Sequence, residues 1–307
     1  MGILWFYWVG NSFVYYGLEY LKYPIIILFG FSYGILFLLS SMINYFLVRL
    51  VLFFSLTFIH PFGFNWFKPE LILLNTYLNP FEIKQNKPKL KIYMPQFNIK
   101  QNEKWKEENK ENIIAKNLKE IDYAIQNNYD LVVFPETSFP LVIDYYPRLL
   151  EILLEKSHDI DIVIGALSLN KENQYLNSTI HFSKAQYKIA NKVVLVPFGE
   201  ATPLPKFLVD FINDTFFNGA SDYQSVSEPT SFDIKGIKFR NAICYEATSD
   251  EVYKNLDTNY ILASSNNAWF TPSIEPTLQK LLLQYYAYKY NLYIIHSVNG
   301  SQNTIIK

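Results

Sequence analysis

The chain has 307 residues, 50% of them hydrophobic, with a formal net charge of −1 and a pI near 6.4. That balance supplies no basic field and excludes nucleic acid as a partner. The lone cysteine, Cys244, excludes an intramolecular disulfide, and the four histidines (His60, His158, His181, His296) lack metal-ligand spacing, so neither a metal nor another cofactor is expected.

In chain order, residues 1–80 are strongly apolar and aromatic, and most charges follow them. Residues 24–48, PIIILFGFSYGILFLLSSMINYFLV, carry no charge. At about 1.5 Å per residue such a run crosses a hydrocarbon layer of roughly 30 Å with some tilt. Residues 1–18 are a weaker uncharged run, and residues 50–67 a third, with Pro61 and three aromatic residues suited to a membrane interface near its end. No basic stretch opens the chain and no small-residue cleavage site follows the apolar run, so these read as two to three retained spans rather than a signal peptide. Arg49 favours the cytoplasm, which would put the segment after Trp66 on the outer side.

Residues 81–307 read as a layered α/β domain, with strands and helices in alternation. KIYM (91–94) is a strand, a charged helix runs from about 103 to 126, and DLVVF (130–134) is a short buried strand. A helix near 146–156 leads to DIVIGAL (161–167), then to paired strands in NSTIHFS and YKIANKVVLV. The hairpin SFDIKGIKFR leads into Cys244, followed by a strand at 259–265, a helix near 275–290 and the strand LYIIHSV.

Ends of such strands commonly present chemistry on the loops that follow. Glu136 follows LVVF between Pro135 and Pro140, Lys192 precedes VVLVPFGE, and Cys244 follows FRNAI. A lone cysteine is by type a buried filler. Beside a carboxylate and a lysine it makes sense as a thiolate nucleophile, with Glu136 taking its proton. Lys192 and the backbone N–H of Tyr245 would then meet a developing oxyanion. The competing design pairs Cys244 with His181 or His296.

The segments VVFPETSFP, KVVLVPFGEATPL, CYE and SSNNAWF, in this order, resemble the nitrilase superfamily, and more narrowly the apolipoprotein N-acyltransferases. NIKQNEKW (98–105) and LWFYWVGNSF extend the resemblance over nearly the whole chain. The resemblance implies a four-layer αββα sandwich preceded by transmembrane helices, with a catalytic triad at Glu136, Lys192 and Cys244. It assigns supporting roles to Glu200, which would hold the lysine, and to Tyr245, Glu246 and Trp105. It implies acyl transfer from a membrane phospholipid, with phosphatidylethanolamine as donor, through a Cys244 thioester. The acceptor would be the N-terminal α-amine of a diacylglyceryl apolipoprotein. The setting would be the bacterial inner membrane, multi-pass, with the catalytic domain periplasmic and the protein a monomer. Residues 203–220 are expected to form a membrane-facing lid.

Departures from the family pattern are Asn267 in place of an aspartate, Tyr286-Ala287-Tyr288-Lys289 in place of Arg-Ala-x-Glu, His296 in place of an arginine, and the shuffled turn VNGSQN. The family pattern also continues beyond both ends of this sequence, so the chain reads as shortened. Two other readings use the same residues: a membrane-tethered amidase that releases the acid to water, and an inactive remnant.

Overall fold

The structure is a computed structural model that describes residues 3, 6–15, 17–56, 66, 87–197, 199–200 and 223–307. The chain divides into two units, one of Met1–Phe81, Pro197–Asp222 and Trp269–Leu282, the other of Glu82–Val196, Tyr223–Ala268 and Leu283–Lys307.

In the first unit, α1 (Val9–Tyr15), α2 (Lys22–Ser41) and α3 (Phe46–Leu56) follow one another. The charge-free run at residues 24–48 is therefore not one helix: it ends at Ser41, whose hydroxyl donates to the Leu38 carbonyl (2.7 Å), and resumes at Phe46. Serine and asparagine compete for backbone hydrogen bonds in this way and favour helix ends. Among the described residues no helix is long and apolar enough to cross a membrane. Most of the third run lies outside the described residues, as does the expected lid at 203–220. Trp8 is buried against Trp66 and Phe270, with ring centroids 4.8 and 4.9 Å away, and Asn11 Nδ2 donates to the Phe270 carbonyl.

The second unit holds two five-stranded sheets. The first has the order β1 (Ile92–Tyr93), β2 (Leu131–Val133), β3 (Asp161–Leu169), β4 (Tyr175–Ser183), β5 (Gln186–Asn191). Its first three strands are parallel and the last two antiparallel. The second has the order β10 (Thr304–Ile306), β9 (Tyr293–Asn299), β8 (Tyr260–Asn266), β7 (Ile237–Ile243), β6 (Ser231–Ile234), with β7, β8 and β9 parallel.

Helix α4 (Gln101–Lys104) breaks at Trp105 before α5 (Glu107–Gln126), so the expected single helix is two. α5 has Glu107 and Glu108 in its first turn, where the helix dipole favours them, and buries Ile113, Asn117, Ile121 and Ala124 at helical spacing. α6 (Pro147–Lys156) starts with proline, whose missing N–H costs nothing there, and buries Leu149 and Leu153. Both helices pack on the outer face of the first sheet with Val132, Ile162, Ile164 and Ile180. Leu131, Val133 and Val163 meet Phe232, Leu262 and Ile295 between the two sheets. The end of α7 (Glu275–Tyr290) covers the second sheet through Leu283, Tyr286 and Ala287. The layers are α, β, β, α.

Two tight turns set the hairpin registers. Lys184 and Ala185 (φ +50° and +57°) join β4 to β5, and Lys235 and Gly236 (φ +50° and +80°) join β6 to β7. Two consecutive left-handed residues match the strand twist. The strand expected through Val193–Val196 stops at Asn191, and past Lys192 the chain turns away from the sheet.

Candidate active site

The loop after β2 is a bulge pinned at both ends to β3. Phe134 N–H donates to the Val163 carbonyl (2.9 Å) and Phe139 N–H to the Gly165 carbonyl (2.9 Å). Pro135–Ser138 arch between these two bonds, with Thr137 left-handed at φ +45°. A Cβ on Gly165 would lie 2.4 Å from the Thr137 nitrogen and 2.7 Å from the Pro135 oxygen, so only glycine lets the arch sit this low on the strand. Both obstructing atoms are backbone and yield poorly. Gly165→Ala should therefore destabilise the protein by about 1–3 kcal/mol, read as a lower denaturant midpoint; an unchanged midpoint would show that the arch can lift freely.

The arch aims Glu136 inward, where it is buried. Asn177 Nδ2 donates to Glu136 Oε1 (2.8 Å), and Lys192 Nζ lies 3.5 Å from the same oxygen. Lys192 is fully buried, and its backbone N–H donates to the Asn177 carbonyl (2.9 Å). Asn177, in the middle of β4, thus holds the carboxylate with its side chain and the lysine with its main chain. A charge removed from water survives when it is paired and hydrogen-bonded, and both conditions hold here.

Cys244 opens a 3₁₀ turn, Cys244–Thr248, directly after β7, with φ +52°. Left-handed backbone costs a side-chain-bearing residue about 1–2 kcal/mol, and strain of this kind collects at functional turns. The turn is held by Glu246. Its carboxylate accepts from Ile243 N–H (2.7 Å), Val193 N–H (2.6 Å) and Val194 N–H (3.2 Å). One side chain therefore fastens the cysteine turn to the two residues after Lys192. Burial pushes the Glu246 carboxyl up to about 7, against the opposing pull of Lys192 and the three backbone donors.

Trp105 caps α4 and is 39% exposed, whereas Tyr245 is buried in the cysteine turn and its carbonyl accepts from Thr248 Oγ1 (2.7 Å). Glu200 falls in the other unit. Sequence reasoning missed Asn177 and Lys104. Nothing local marks Asn177, because only strand pairing places it opposite Glu136. Lys104 stood in plain view in NEKW, where a lysine reads as a solvated charge.

Known proteins fit this geometry at two levels. The carbon-nitrogen hydrolase family matches residues 94–304, and the apolipoprotein N-acyltransferase integral membrane domain matches residues 1–102. The apolipoprotein N-acyltransferase of Wolinella succinogenes is 40% identical across all of this chain and 83% of its own length. This chain belongs to the apolipoprotein N-acyltransferase family. The Helicobacter hepaticus and Campylobacter jejuni apolipoprotein N-acyltransferases, at 34% and 33% identity, also align with the whole chain, over 86% and 77% of theirs. Among solved structures, a glutamine-dependent NAD+ synthetase from Acinetobacter baumannii superposes with a TM-score of 0.53 at 20% identity, over 71% of this chain and 40% of that one. An amidase from Nesterenkonia sp. AN1 gives 0.51 at 12%, over 70% and 81%. These two likenesses are of fold alone.

The positions at which this acyltransferase departs from its family pattern have local partners. Lys289 Nζ pairs with Asp250 Oδ1 at 2.8 Å, and Tyr286 and Tyr290 stack on Tyr253, with centroids 4.4 and 5.2 Å away. An ion pair thus exists here with other members. Asn267 Nδ2 donates to Ser301 Oγ (3.2 Å), across the turn where Gly300 takes φ +85°. His296 Nε2 meets Ser265 Oγ at 2.8 Å, and burial drives its pKa down to about 3, so the ring is neutral. His181 Nε2 meets Asp161 Oδ1 at 2.7 Å. Each histidine is bonded within its own sheet region, which argues against the cysteine–histidine design.

Proposed function

We propose that this chain matures lipoproteins by moving a fatty acyl chain from a phospholipid, through a Cys244 thioester, to the N-terminal α-amine of a diacylglyceryl-cysteine. The observation that carries the reading is the buried Glu136–Lys192 pair at 3.5 Å, fastened through Glu246 to the left-handed Cys244 turn. Family membership supplies the substrates: a lipid donor and a lipoprotein acceptor.

In the first step Glu136 takes the Cys244 proton, and the sulfur attacks the sn-1 ester carbonyl. Lys192 and the Tyr245 N–H stabilise the oxyanion as the C–S bond forms. The C–O bond then breaks, Glu136 returns the proton to the departing alkoxide, and lysophospholipid leaves. In the second step the acceptor amine attacks the thioester carbon, the C–N bond forms and the C–S bond breaks. The amine proton passes by way of Glu136 to restore the thiol.

Within this reading residues 1–80 hold the protein in the inner membrane by several passes, residues 81–307 form the catalytic domain on the periplasmic side, and the enzyme works as a monomer. The match of residues 1–102 to an integral membrane domain supports the anchoring, as do the exposed apolar side chains of α2 and α3, among them Ile27, Phe31, Leu38 and Leu47. Phosphatidylethanolamine is the donor assigned.

The test is intact-mass spectrometry of the reconstituted protein after incubation with phosphatidylethanolamine vesicles alone. The expected product is one added acyl mass, absent in Cys244→Ala and removed by hydroxylamine. A folded protein that gains no mass, even transiently, would refute the thioester. An adduct that is lost to water equally fast with and without acceptor peptide would make the protein an amidase-type hydrolase.

A further inference from the structure

Lys104 is a charged side chain in an unusual place. It is 1% exposed, and its amine donates to the Glu136 carbonyl oxygen (3.0 Å) and to Thr137 Oγ1 (2.7 Å). Both acceptors lie on the arch that carries the Glu136 carboxylate. The helix bearing Lys104 is itself anchored. Gln101 Oε1 accepts from Asn266 Nδ2 (2.8 Å), Asn266 Oδ1 from Asn299 Nδ2 (2.8 Å), and Asn299 Oδ1 from Ile99 N–H (2.8 Å). The ends of β8 and β9 thus fix the short helix whose lysine grips the arch. A small pocket beside the amine is walled by Phe97, Ile99, Asn117, Pro135, Ser138 and Asn299, none of them ionisable. The groups whose charge favours a protonated amine are Glu136, from the loop after β2, and Cys244, from the turn after β7. Glu103, on the same helix, pairs outward with Lys106.

An amine so placed has two consequences. It fastens the strained Glu136–Thr137 backbone, and it brings a positive charge to bear on the thiol. The Glu136 carboxylate already draws on Lys192, so a second cation gives a Cys244 thiolate a partner of its own in a dry site, where charge interactions are strongest.

We propose that Lys104 is a positioning residue of the acyl-transfer site, holding the Glu136 arch in place and contributing a second buried positive charge that favours the Cys244 thiolate. The inference rests on the thioester reading given above, but its test does not. Burial, the largest influence on the amine, lowers its pKa to about 7, while Glu136 and Cys244 pull the other way, so thiolate formation and amine protonation reinforce each other near neutral pH.

Cys244 is the chain's one cysteine, so alkylation by iodoacetamide, followed by intact mass, reports this thiol alone. We compare the pH profile of alkylation from pH 6 to 10 in the full reconstituted chain and in Lys104→Met and Lys104→Arg. The shape of the profile cancels differences in access. With methionine, alkylation at pH 7 is expected to fall about tenfold relative to its own plateau, the profile moving about one pH unit alkaline. Arginine keeps the charge but not the shape of the amine, so its profile should fall between those of methionine and wild type. A methionine profile that coincides with wild type in a folded chain overturns the proposal, whatever the acyl-transfer rate does. Should Lys104→Met not fold, Thr137→Val removes one acceptor of the amine and should move the profile in the same direction; an unmoved profile there is equally decisive against it. Failure of the wild type to take up acyl chains, with the alkylation shift intact, would refute the thioester reading and leave the Lys104 assignment standing.

Discussion

If Lys192 meets the oxyanion as proposed, Lys192→Met is expected to slow acylation of Cys244 by about 10²–10³-fold, the usual cost of deleting one such donor. Lys192 is fully buried and 3.5 Å from Glu136 Oε1. Methionine is of similar length, so the space stays filled while the charge goes. The loss then falls on chemistry: the oxyanion loses a donor, and the buried carboxylate faces the forming thiolate without the cation that balanced it. Lys192→Arg should rescue poorly, because a planar fork cannot occupy a site shaped around a point charge. Single-turnover acylation, followed by intact mass beside a denaturation curve, separates rate from folding. A folded variant slowed less than tenfold would remove Lys192 from the chemistry.

Arg240→Leu should have the largest effect on stability, about 2–3 kcal/mol, because several buried or half-buried acceptors lose a charged donor while the half-exposed Asp257 keeps Lys238. The buried Arg240 guanidinium donates to Val252 O (3.0 Å), Lys254 O (3.3 Å), Asn255 O (3.1 Å), Asp257 Oδ1 (3.3 Å) and Ser231 Oγ (3.0 Å). One side chain on β7 therefore ties down the stretch that follows the cysteine turn. Leucine would leave those carbonyls without their donor. The predicted result is a strongly lowered denaturant midpoint, with acylation still measurable at low temperature. A drop below 1 kcal/mol would mean that water replaces the guanidinium without loss.

Several elements were legible because their cause is local. The helix at Glu275–Tyr290 and the strand at Tyr260–Asn266 lie within a residue or two of where periodicity put them. The hairpin that delivers Cys244 was visible from the alternation in SFDIKGIKFR. Less legible were the break at Trp105, the stop at Asn191 and the gap between Ser41 and Phe46. At Asn191 the main chain leaves the sheet because Val193 and Val194 N–H turn to the Glu246 carboxylate, a partner more than 50 residues away in sequence.

By itself the sequence determined the order of strands and helices, the family, and the loops on which Glu136 and Cys244 stand, though it put Lys192 inside a strand, because apolar periodicity, turn residues and short motifs are properties of neighbouring residues. Only the tertiary structure decided how those loops are held. Asn177 reaches Glu136 across paired strands, Glu246 joins the cysteine turn to the segment after Lys192, and Lys104 is drawn into the interior under the Glu136 arch. The reason is physical. A buried polar group must find its partner wherever the fold brings one within hydrogen-bonding distance, and that meeting depends on strand register and layer packing rather than on spacing along the chain.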